Sequence, residues 1–177
     1  MSTPTRVVLY VALSLDGFIA ETDGGVGFLD AVQGAESDYA EFLAGVGSLV
    51  MGRRTYDQVL GWGWPYAGRP TAVVTGRPLA DDAPAGVFAN DGRDLRALVE
   101  DLAARAEGAI WLVGGGEVAG AFLRSHLVDE LRLYVVPVLL GGGVPLWSHT
   151  GRQDFTLGSC DDLGAGMVRL RYETRRP

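Results

Sequence analysis

The chain has 177 residues, of which 47% are hydrophobic and 21% charged, and this size and composition are typical of one globular domain with a substantial core. The formal net charge of −7 argues against nonspecific binding to nucleic acid or anionic membranes, because both require clustered cations. A single cysteine, Cys160, excludes an internal disulfide, and the two histidines, His126 and His149, are too few for a convincing metal site.

Targeting and membrane segments are not visible in the sequence. The first residues lack the apolar core of a signal peptide, and no apolar run reaches the roughly 18 residues of a membrane span. We therefore expect a cytoplasmic protein that forms a single domain over residues 1–177, without a metal and without a nucleic-acid or membrane partner.

In the first part of the chain, apolar runs alternate with glycine-rich or amphipathic segments. The apolar run over 7–13 is typical of a strand buried on both faces, and Ser37 is a suitable N-cap for a short helix. The expected elements up to residue 75 are a strand over 7–13, a loop over 21–34, a helix from Ser37 to about Ala44, a strand over 49–51, a helix opened by Thr55 and a strand over 71–75.

In the second part, Leu95, Leu98 and Leu102 recur at helical spacing, and Pro137 inside a β-like run indicates an edge position or a bulge. The expected elements are helices over 94–105 and 117–125 and strands over 109–113, 131–140, 155–159 and 167–174. Strands and helices alternate to about residue 135, and strands alone follow. This order predicts an α/β three-layer sandwich with a central mixed, mostly parallel sheet.

Three glycines, Gly114 to Gly116, stand where an apolar strand meets an amphipathic helix. Free N–H groups and the helix dipole favour an anion at such a junction, and a phosphate is the natural guest. The residues also satisfy the dinucleotide fingerprint G-x-G-x-x-A, but the nearest acids, Asp129 and Glu130, precede the next strand instead of ending it. A standard Rossmann site is therefore disfavoured, which leaves a phosphate site of another kind or simply close packing of helix on strand.

Two more junctions at predicted strand ends combine glycine, arginine and a hydroxyl group. Their residues are Gly52, Arg53, Arg54 and Thr55 at the first junction and Thr75, Gly76 and Arg77 at the second. Glycine lets the backbone approach a phosphate and arginine supplies charge-assisted hydrogen bonds, although each junction alone is also typical of a helix cap or a solvated turn. Because ligands of open α/β sheets bind at the carboxyl ends of strands, we interpret the three junctions as one dinucleotide cradle, with Arg77 suited to the 2′-phosphate of NADP.

Two aspartates are candidates for catalytic work. Asp16 follows the first strand, and Asp38 starts the first helix. A carboxylate near a nicotinamide can position a polar heterocycle or help to deliver the proton that accompanies hydride. Each also has an ordinary structural explanation, since Asp16 precedes Gly17 in a turn and an acid is favourable in the first turn of a helix.

Four motifs occur in order along the chain. They are Leu13-Ser-Leu-Asp-Gly-Phe-Ile-Ala20, Val50-Met-Gly-Arg-Arg-Thr-Tyr56, Val113-Gly-Gly-Gly-Glu117 and Val128-Asp-Glu-Leu-Arg-Leu-Tyr-Val-Val-Pro-Val-Leu-Leu-Gly-Gly-Gly143. With these motifs the chain resembles the dihydrofolate reductase-like superfamily, and within it stand-alone proteins similar to the C-terminal reductase domain of the bifunctional riboflavin-biosynthesis deaminase/reductase. The resemblance implies a dihydrofolate reductase-like fold, NADPH as cofactor, a small-molecule substrate and a homodimer, for which the apolar run over 131–140 is a second reason.

The resemblance also implies roles for individual residues. The pyrophosphate would be held by Gly52, Arg53, Arg54 and Thr55, the adenosine 2′-phosphate by Thr75, Gly76 and Arg77, and the remaining phosphate and ribose by Val113, Gly114, Gly115, Gly116, Glu117 and Val118. The nicotinamide would lie between Ala12 and Ile19. The substrate would meet Asp38, Phe42, Tyr56 and Tyr134, with Asp38 or Asp16 as the catalytic acid.

The chain departs from both branches of the superfamily. The loop after Ile19 lacks the tryptophan typical of dihydrofolate reductases, and residues 61–66 replace the Asp-Pro loop typical of riboflavin reductases. The leading interpretation is an NADPH-dependent reductase that transfers hydride to a small heterocyclic or carbonyl-containing substrate, resembling 5-amino-6-(5-phosphoribosylamino)uracil reductase or dihydrofolate reductase. The alternative is a non-catalytic NADP(H)-binding or regulatory module.

Overall fold

The computed structural model describes residues 5–148 and 150–175, so that His149 lies outside the described residues. Eight of its ten strands form one central sheet. The strands are β1 (Val7–Ser14), β2 (Phe18–Ala20), β3 (Val46–Gly52), β4 (Thr71–Val74), β5 (Val87–Asn90), β6 (Ala109–Gly114), β7 (Glu130–Val136), β8 (Val144–Pro145), β9 (Phe155–Asp162) and β10 (Val168–Thr174).

The large sheet has the strand order β5-β4-β3-β6-β1-β7-β10-β9, and β2 pairs with β8 in a separate ribbon. All pairings from β5 to β7 are parallel, whereas β10 runs antiparallel to both β7 and β9. The predicted mixed, mostly parallel sheet is therefore confirmed. Because parallel neighbours end on the same side, the carboxyl ends of the strands from β4 to β7 form one continuous edge.

The helices cover both faces of this sheet. They are α1 (Tyr39–Ala44), α2 (Arg53–Gly61), α3 (Leu95–Arg105) and α4 (Gly116–Arg124). The buried side chains of α3 and α4 belong to one large apolar cluster, and those of α1 and α2 belong to another. Val7 and Val8, consecutive residues of β1, contribute to different clusters, so the clusters lie on opposite faces of the sheet. The three-layer sandwich is confirmed.

Helix α3 buries the predicted stripe of Leu95, Leu98 and Leu102. Its N-cap is Asp94, whose side chain accepts a hydrogen bond from the Ala97 N–H at 2.9 Å. Among the helices of the described part of the chain, none combines the length and the apolar character that crossing a bilayer demands.

The first two helices begin at other residues than expected. Asp38 replaces Ser37 as the N-cap residue of α1, although the Ser37 hydroxyl accepts a hydrogen bond from the Tyr39 N–H at 3.2 Å. Helix α2 begins at Arg53 rather than at Thr55, because the chain turns out of its extended conformation directly after Gly52. The short strands β2, β5 and β8 and a 3-10 helix (Gly27–Val32) also occupy segments for which the sequence predicts no regular structure.

The strand expected over 131–140 is shorter and lies elsewhere in the sheet. It is β7, which ends at Val136 and runs between β1 and β10. Pro137 lies beyond its end, where the missing N–H costs no ladder hydrogen bond. The prediction that Pro137 marks an edge strand is therefore wrong. Because β7 lies between two other strands, it has no free edge with which a second subunit could pair.

Helix α4 lies in backbone contact with the segment over 145–148. A Cβ atom on Gly116 would lie 2.1 Å from the Pro145 carbonyl oxygen, and one on Gly120 would lie 2.3 Å from the Ser148 carbonyl oxygen. Glycine at these two positions, one helical turn apart, lets the segment cross the helix. Gly116 therefore meets a packing requirement besides the phosphate-binding role that the resemblance implies.

Candidate functional site

The three predicted junctions meet at one place, which we call the glycine edge. Gly52 at the end of β3 pairs with Val74 of β4, and Met51 pairs with Gly114 at the end of β6. The strands end side by side, so the segments that follow them converge. The residues of the glycine edge are Gly52, Arg53, Arg54, Thr55, Thr75, Gly76, Arg77, Val113, Gly114, Gly115, Gly116, Glu117 and Val118.

Gly115 is the centre of this edge. It is the N-cap residue of α4, its φ of +90° lies in the left-handed region, and no side chain caps the helix. A Cβ atom here would lie 3.5 Å from Thr55 Oγ1 and 3.9 Å from Gly52 Cα. The first N–H groups of a helix have no partner within it, so the edge presents open donors beside Gly115. These features fit a phosphate group.

The arginines of the glycine edge differ in their contacts. Arg53 Nε donates to Asp57 at 2.8 Å, and its Nη1 donates to the Pro78 carbonyl oxygen at 3.1 Å. Arg53 therefore ties α2 to the turn after β4. Arg54 and Arg77 are exposed. The Arg77 N–H donates to Thr75 Oγ1 at 3.1 Å, which fixes the turn that carries the Arg77 guanidinium.

Asp38 is the centre of a second group on the α1 face, the Asp38 cluster of Asp38, Tyr10, Tyr134 and Arg169. Its Oδ1 accepts hydrogen bonds from the Tyr10 hydroxyl at 3.1 Å and the Tyr134 hydroxyl at 2.5 Å. Its Oδ2 accepts from Arg169 Nη1 at 2.7 Å. The three donors stand on β1, β7 and β10, so the N-terminus of α1 is fastened across three strands.

The contacts of Asp38 determine its charge. Burial is the largest influence and raises the pKa of the carboxyl, but the hydrogen bonds from its three donors and the charge of Arg169 outweigh burial and hold the pKa below its usual range. Burial, followed by the hydrogen bond to Asp38, raises the pKa of Tyr134 to about 12, and burial raises the pKa of Tyr10 still further. At neutral pH the carboxyl is ionised and both hydroxyls keep their protons.

The Asp38 cluster adjoins the glycine edge. Leu9 pairs with Leu112, so two residues further along both parallel strands Val11 lies near the level of Gly114. Ala12 is the next residue of β1, and it pairs with Tyr134. The two groups therefore meet across the end of β1.

A third group, the Glu130 cluster of Glu130, Arg6, Arg132 and Arg171, lies on the same side of the sheet. Glu130 is only 2% exposed. Its Oε1 accepts hydrogen bonds from Arg132 Nε and from Arg171 Nε and Nη2 at 3.1 and 3.0 Å, and its Oε2 lies 3.2 Å from Arg6 Nη2. Burial raises the pKa of Glu130, but the arginines outweigh burial and lower it.

Aromatic rings fill the space between the helices and this face. The Tyr10 and Phe42 rings stack with centroids 4.3 Å apart, and Phe42 meets Trp111 edge-to-face at 5.5 Å. Further edge-to-face contacts lead from Trp111 through Tyr66 and Trp64 to Tyr56. The structure thus brings Phe42 and Tyr134 to the Asp38 cluster, whereas Tyr56 lies at the far end of the aromatic series.

Asp16 lies in another part of the structure. Its Oδ1 accepts hydrogen bonds from the Ser14 hydroxyl at 2.6 Å and the Leu140 N–H at 3.1 Å, and its Oδ2 accepts from the Gly141 N–H at 2.7 Å. The hydrogen bond from Ser14 is the main reason why the pKa of Asp16 is lowered. These contacts fasten the turn after β1 to the turn at 140–141.

Ala12 and Ile19, the residues expected beside the nicotinamide, lie on opposite faces of the sheet. Ala12 packs with Tyr134, and Ile19 packs against the large cluster that α3 and α4 cover. They therefore stand on either side of the end of β1.

The prediction missed Tyr10, Arg169 and the whole Glu130 cluster. Tyr10 and Arg169 lie 28 and 131 residues from Asp38 in the chain, so no local pattern joins them. A signal was present in the alternation of polar residues along otherwise apolar strands, as in Arg169 and Arg171 of β10.

Comparison with known proteins identifies the family. The RibD C-terminal domain family matches residues 5–169. The chain belongs to this family. RibD C-terminal domain proteins similar to it include YwjB of Bacillus subtilis, described as uncharacterised, which is 36% identical over 171 residues, covering 94% of this chain and 97% of YwjB.

Two further proteins similar to this RibD C-terminal domain protein have names that describe a role. A 66-residue stretch, 37% of this chain and 30% of the relative, is 33% identical to 2,5-diamino-6-ribosylamino-4(3H)-pyrimidinone 5′-phosphate reductase of Archaeoglobus fulgidus. A solved structure from Shewanella sp. PV-4, named provisionally as a riboflavin biosynthesis protein, has a TM-score of 0.84 at 28% identity and covers 97% of this chain and 99% of that one. The fold is that of the dihydrofolate reductase-like superfamily, and the family supports an enzyme of the reductase kind.

Proposed function

We propose that this protein is an NADPH-dependent reductase that transfers hydride to a small heterocyclic or carbonyl-containing substrate, such as a ribosylaminopyrimidine of riboflavin biosynthesis. The observation that carries the proposal is the strand register, which brings the glycine edge and the Asp38 cluster to the two sides of the end of β1. A donor site built for phosphates and an acceptor site built for a polar ring adjoin each other there.

In this proposal the glycine edge holds the cofactor. Gly52, Arg54, Thr55 and the N–H groups of α2 would hold one side of the pyrophosphate, with Arg53 bracing the turn that carries Thr75, Gly76 and Arg77. Val113, Gly114, Gly115, Gly116, Glu117 and Val118 would hold the remaining phosphate and ribose. The cofactor supplies the hydride from C4 of its nicotinamide, and Ala12 and Ile19 would flank that ring.

The Asp38 cluster would bind the substrate. An ionised carboxylate with protonated tyrosines around it attracts N–H donors of a planar heterocycle and holds the ring in one orientation. Phe42 would pack beside the substrate, and Tyr56 would support it through the aromatic series. Asp16, whose oxygens already accept three hydrogen bonds, would act by holding the loop that follows β1.

Cofactor titration tests the proposal. Purified protein is titrated with NADPH and NADH by calorimetry, and Arg77→Ala is compared with Arg93→Ala, because the Arg93 side chain is 88% exposed and lies outside both sites. We expect micromolar binding of NADPH and, in Arg77→Ala, roughly tenfold weaker binding of NADPH with little change for NADH, since a charge-assisted contact to the 2′-phosphate is lost. If neither cofactor binds the wild type, the proposal fails; if both weaken equally, the role of Arg77 is wrong.

A non-catalytic NADP(H)-binding module is the second candidate. It is favoured by the full set of donors that Asp38 already has, since a carboxylate with three partners resembles a structural group. NADPH that binds but is not oxidised with any member of a panel of pterins, ribosylaminopyrimidines and quinones would favour this candidate over the reductase.

We also propose that the protein is cytoplasmic, and that it forms a homodimer as the resemblance implies. With β7 in the interior of the sheet, the proposal of a homodimer rests on the family alone. Light scattering at assay concentration should give twice the mass of the 18.8 kDa chain, and the mass of one chain would reject it.

A further inference from the structure

Arg132 of the Glu130 cluster is anchored at only one of its nitrogen atoms. Its Nε donates to the buried Glu130, and its Cζ lies 5.1 Å from the centroid of the Phe42 ring. Within residues 5–148 and 150–175, neither terminal nitrogen of Arg132 has a hydrogen-bond partner, although its side chain is only 21% exposed. The guanidinium is thus held in place, and its two terminal nitrogen atoms remain available to a ligand.

Arg171 stands beside Arg132 in a similar state. The two residues are register partners on β10 and β7, and Arg171 Nε and Nη2 both donate to Glu130. In the same described ranges its Nη1 has no partner. Two arginines fixed by one buried carboxylate therefore keep six N–H bonds on three nitrogen atoms for another group.

Arg132 and Arg171 line a cavity of about 340 Å³ between α1, β7 and β10. Other residues that line it include Asp38, Glu41, Phe42 and Arg169. We propose that Arg132 and Arg171 form an oxyanion-binding subsite in this cavity, which takes a carboxylate or phosphate group of a small molecule. A guanidinium fork matches the two oxygens of such a group, and a carboxylate partner behind it fixes its direction.

The charged groups around the subsite are of both signs and largely offset one another. Arg169 is paired with Asp38 and, through Nε and Nη2, with Asp161 at 3.1 and 3.0 Å. Glu41 opposes an anion from α1, and Glu130 offsets part of the charge of the arginines. The net charge is therefore small, and the direction of the N–H groups selects the ligand.

The subsite stands at a defined distance from the Asp38 cluster. Arg132 and Tyr134 are two residues apart on β7, which corresponds to about 7 Å along a strand. A ligand that reaches both places a polar ring at Tyr134 and its oxyanion about 7 Å away. If the oxyanion is part of the substrate, the inference rests on the proposed function. The other source of the same chemistry is a free anion that binds by itself.

Arginine side-chain NMR tests the subsite directly. All 15 basic residues of the chain are arginines, so 15N-arginine labelling gives one Nε–H signal for each. Inorganic phosphate is added at constant ionic strength against chloride, and Arg132→Lys identifies the Arg132 signal. We expect saturable shifts of Arg132 and Arg171, and roughly tenfold weaker phosphate binding in Arg132→Lys, which keeps the charge and loses the fork.

The matched controls separate this subsite from the glycine edge. Arg93→Lys should leave phosphate binding unchanged, and Arg77→Gln should weaken only the phosphate binding that depends on Arg77 at the glycine edge, while the Arg132 shift persists. An Arg132 signal that does not respond in the wild type overturns the subsite, and so does unchanged phosphate affinity in Arg132→Lys with an unaltered unfolding midpoint. If the variant does not fold, triple-resonance assignment through the backbone identifies the Arg132 signal, and the wild-type titration then decides the matter.

A matched pair of pyrimidines distinguishes the two sources of the oxyanion. Uridine 5′-phosphate should bind at least tenfold more tightly than uridine and shift the Arg132 signal, if the oxyanion is part of the substrate. Equal affinity for uridine and uridine 5′-phosphate overturns the proposal that the oxyanion belongs to the substrate. If inorganic phosphate still binds at Arg132 in that case, the result supports a separate anion. Failure of the proposed function is recognised separately, as an absence of NADPH binding in a wild type whose Arg132 signal still responds to phosphate.

Discussion

The glycine edge and the Asp38 cluster adjoin each other but are built from different parts of the chain. The edge is mostly main chain, in which Gly52 and Gly115 approach closely and helix N–H groups are left open. The cluster is side chain throughout, and its donors come from three strands. An edge of this kind is sensitive to an added Cβ atom, whereas the cluster is sensitive to the loss of a charge or a hydroxyl. Under the proposed function, general recognition of the dinucleotide would reside in the backbone, and discrimination between substrates would reside in the side chains.

The largest effect is expected where the edge meets the segment over 145–148. Gly116→Ala places a Cβ atom 2.1 Å from the Pro145 carbonyl oxygen, so α4 or the segment must move. We expect the free energy of unfolding to fall by about 3 kcal/mol, as for a severe overpacking substitution. Urea denaturation measures it.

Gly61→Ala is the matched control for this clash. Gly61 is the last residue of α2, has no heavy atom within 4 Å of its added Cβ and has no left-handed φ. Alanine there should be neutral or stabilising by up to about 1 kcal/mol. Equal losses in the two variants would show that the close backbone contact at Gly116 is unimportant.

The Glu130 cluster provides the corresponding test for side chains. Glu130→Gln removes the negative charge to which three arginines are bound, and we expect a loss of about 2 kcal/mol, less than for a fully buried ion pair because the arginines are partly exposed. Glu173→Gln is the control, since Glu173 is 61% exposed and its pair with Arg6 is at the surface.

The pH dependence of this loss has a definite sign. The pKa of Glu130 is lowered in the folded state, so its stabilisation is present above the ordinary carboxyl pKa of about 4.3 and disappears as the pH falls through that value toward the folded one. The difference between wild type and Glu130→Gln should therefore be full at pH 7 and shrink below about pH 4. A difference that grows toward acid pH contradicts the ionised state of Glu130.

The same contrast explains how far the sequence predicts the site. Each glycine junction occupies a few consecutive residues at a strand end, so the three junctions together could be predicted from the sequence to form a phosphate cradle. Asp38 could also be predicted as a site residue, because it starts a predicted helix. Arg169 and Glu130 could not be predicted as site residues, because their contacts depend on β10 lying beside β7. Only the sheet order determines that arrangement. The predicted end of β7 is wrong for a related reason. The apolar pattern continues past Val136, whereas the ladder of hydrogen bonds to the neighbouring strands ends there.

A smaller effect is expected for an added Cβ atom at the centre of the glycine edge. Gly115→Ala combines a φ of +90° with a Cβ atom 3.5 Å from Thr55 Oγ1. If the edge binds NADPH, its affinity should fall roughly tenfold, because alanine disfavours this backbone conformation and the N–H groups shift. Fluorescence titration of NADPH measures this.

Gly61→Ala is the control here as well, because Gly61 lies outside the glycine edge, its added Cβ meets no heavy atom within 4 Å and its φ is not left-handed. Its NADPH affinity should equal that of the wild type. If Gly115→Ala binds NADPH as tightly as Gly61→Ala does, the cradle does not depend on the backbone conformation at Gly115.

The smallest effect belongs to a single hydrogen bond of the Asp38 cluster. Tyr134→Phe removes one donor to Asp38 and leaves Tyr10 and Arg169, so we expect a loss of about 1 kcal/mol at pH 7. Urea unfolding measures it. Tyr172→Phe is the control, since the Tyr172 hydroxyl has no hydrogen-bond partner among residues 5–148 and 150–175.

The pH series of the Tyr134→Phe variant reports on the carboxylate itself. Tyr134 donates to the ionised form of Asp38 and so helps to hold its pKa down. Stability from a lowered carboxyl pKa is present above the unfolded value of about 3.9 and is lost as the pH falls through it. The difference between wild type and variant should therefore be full from pH 7 down to about pH 4 and narrow as the pH falls further. A difference that stays constant through this range would mean that the Tyr134 hydroxyl stabilises the fold independently of the charge of Asp38, and the cluster would then depend less on charge than its ion pair with Arg169 implies.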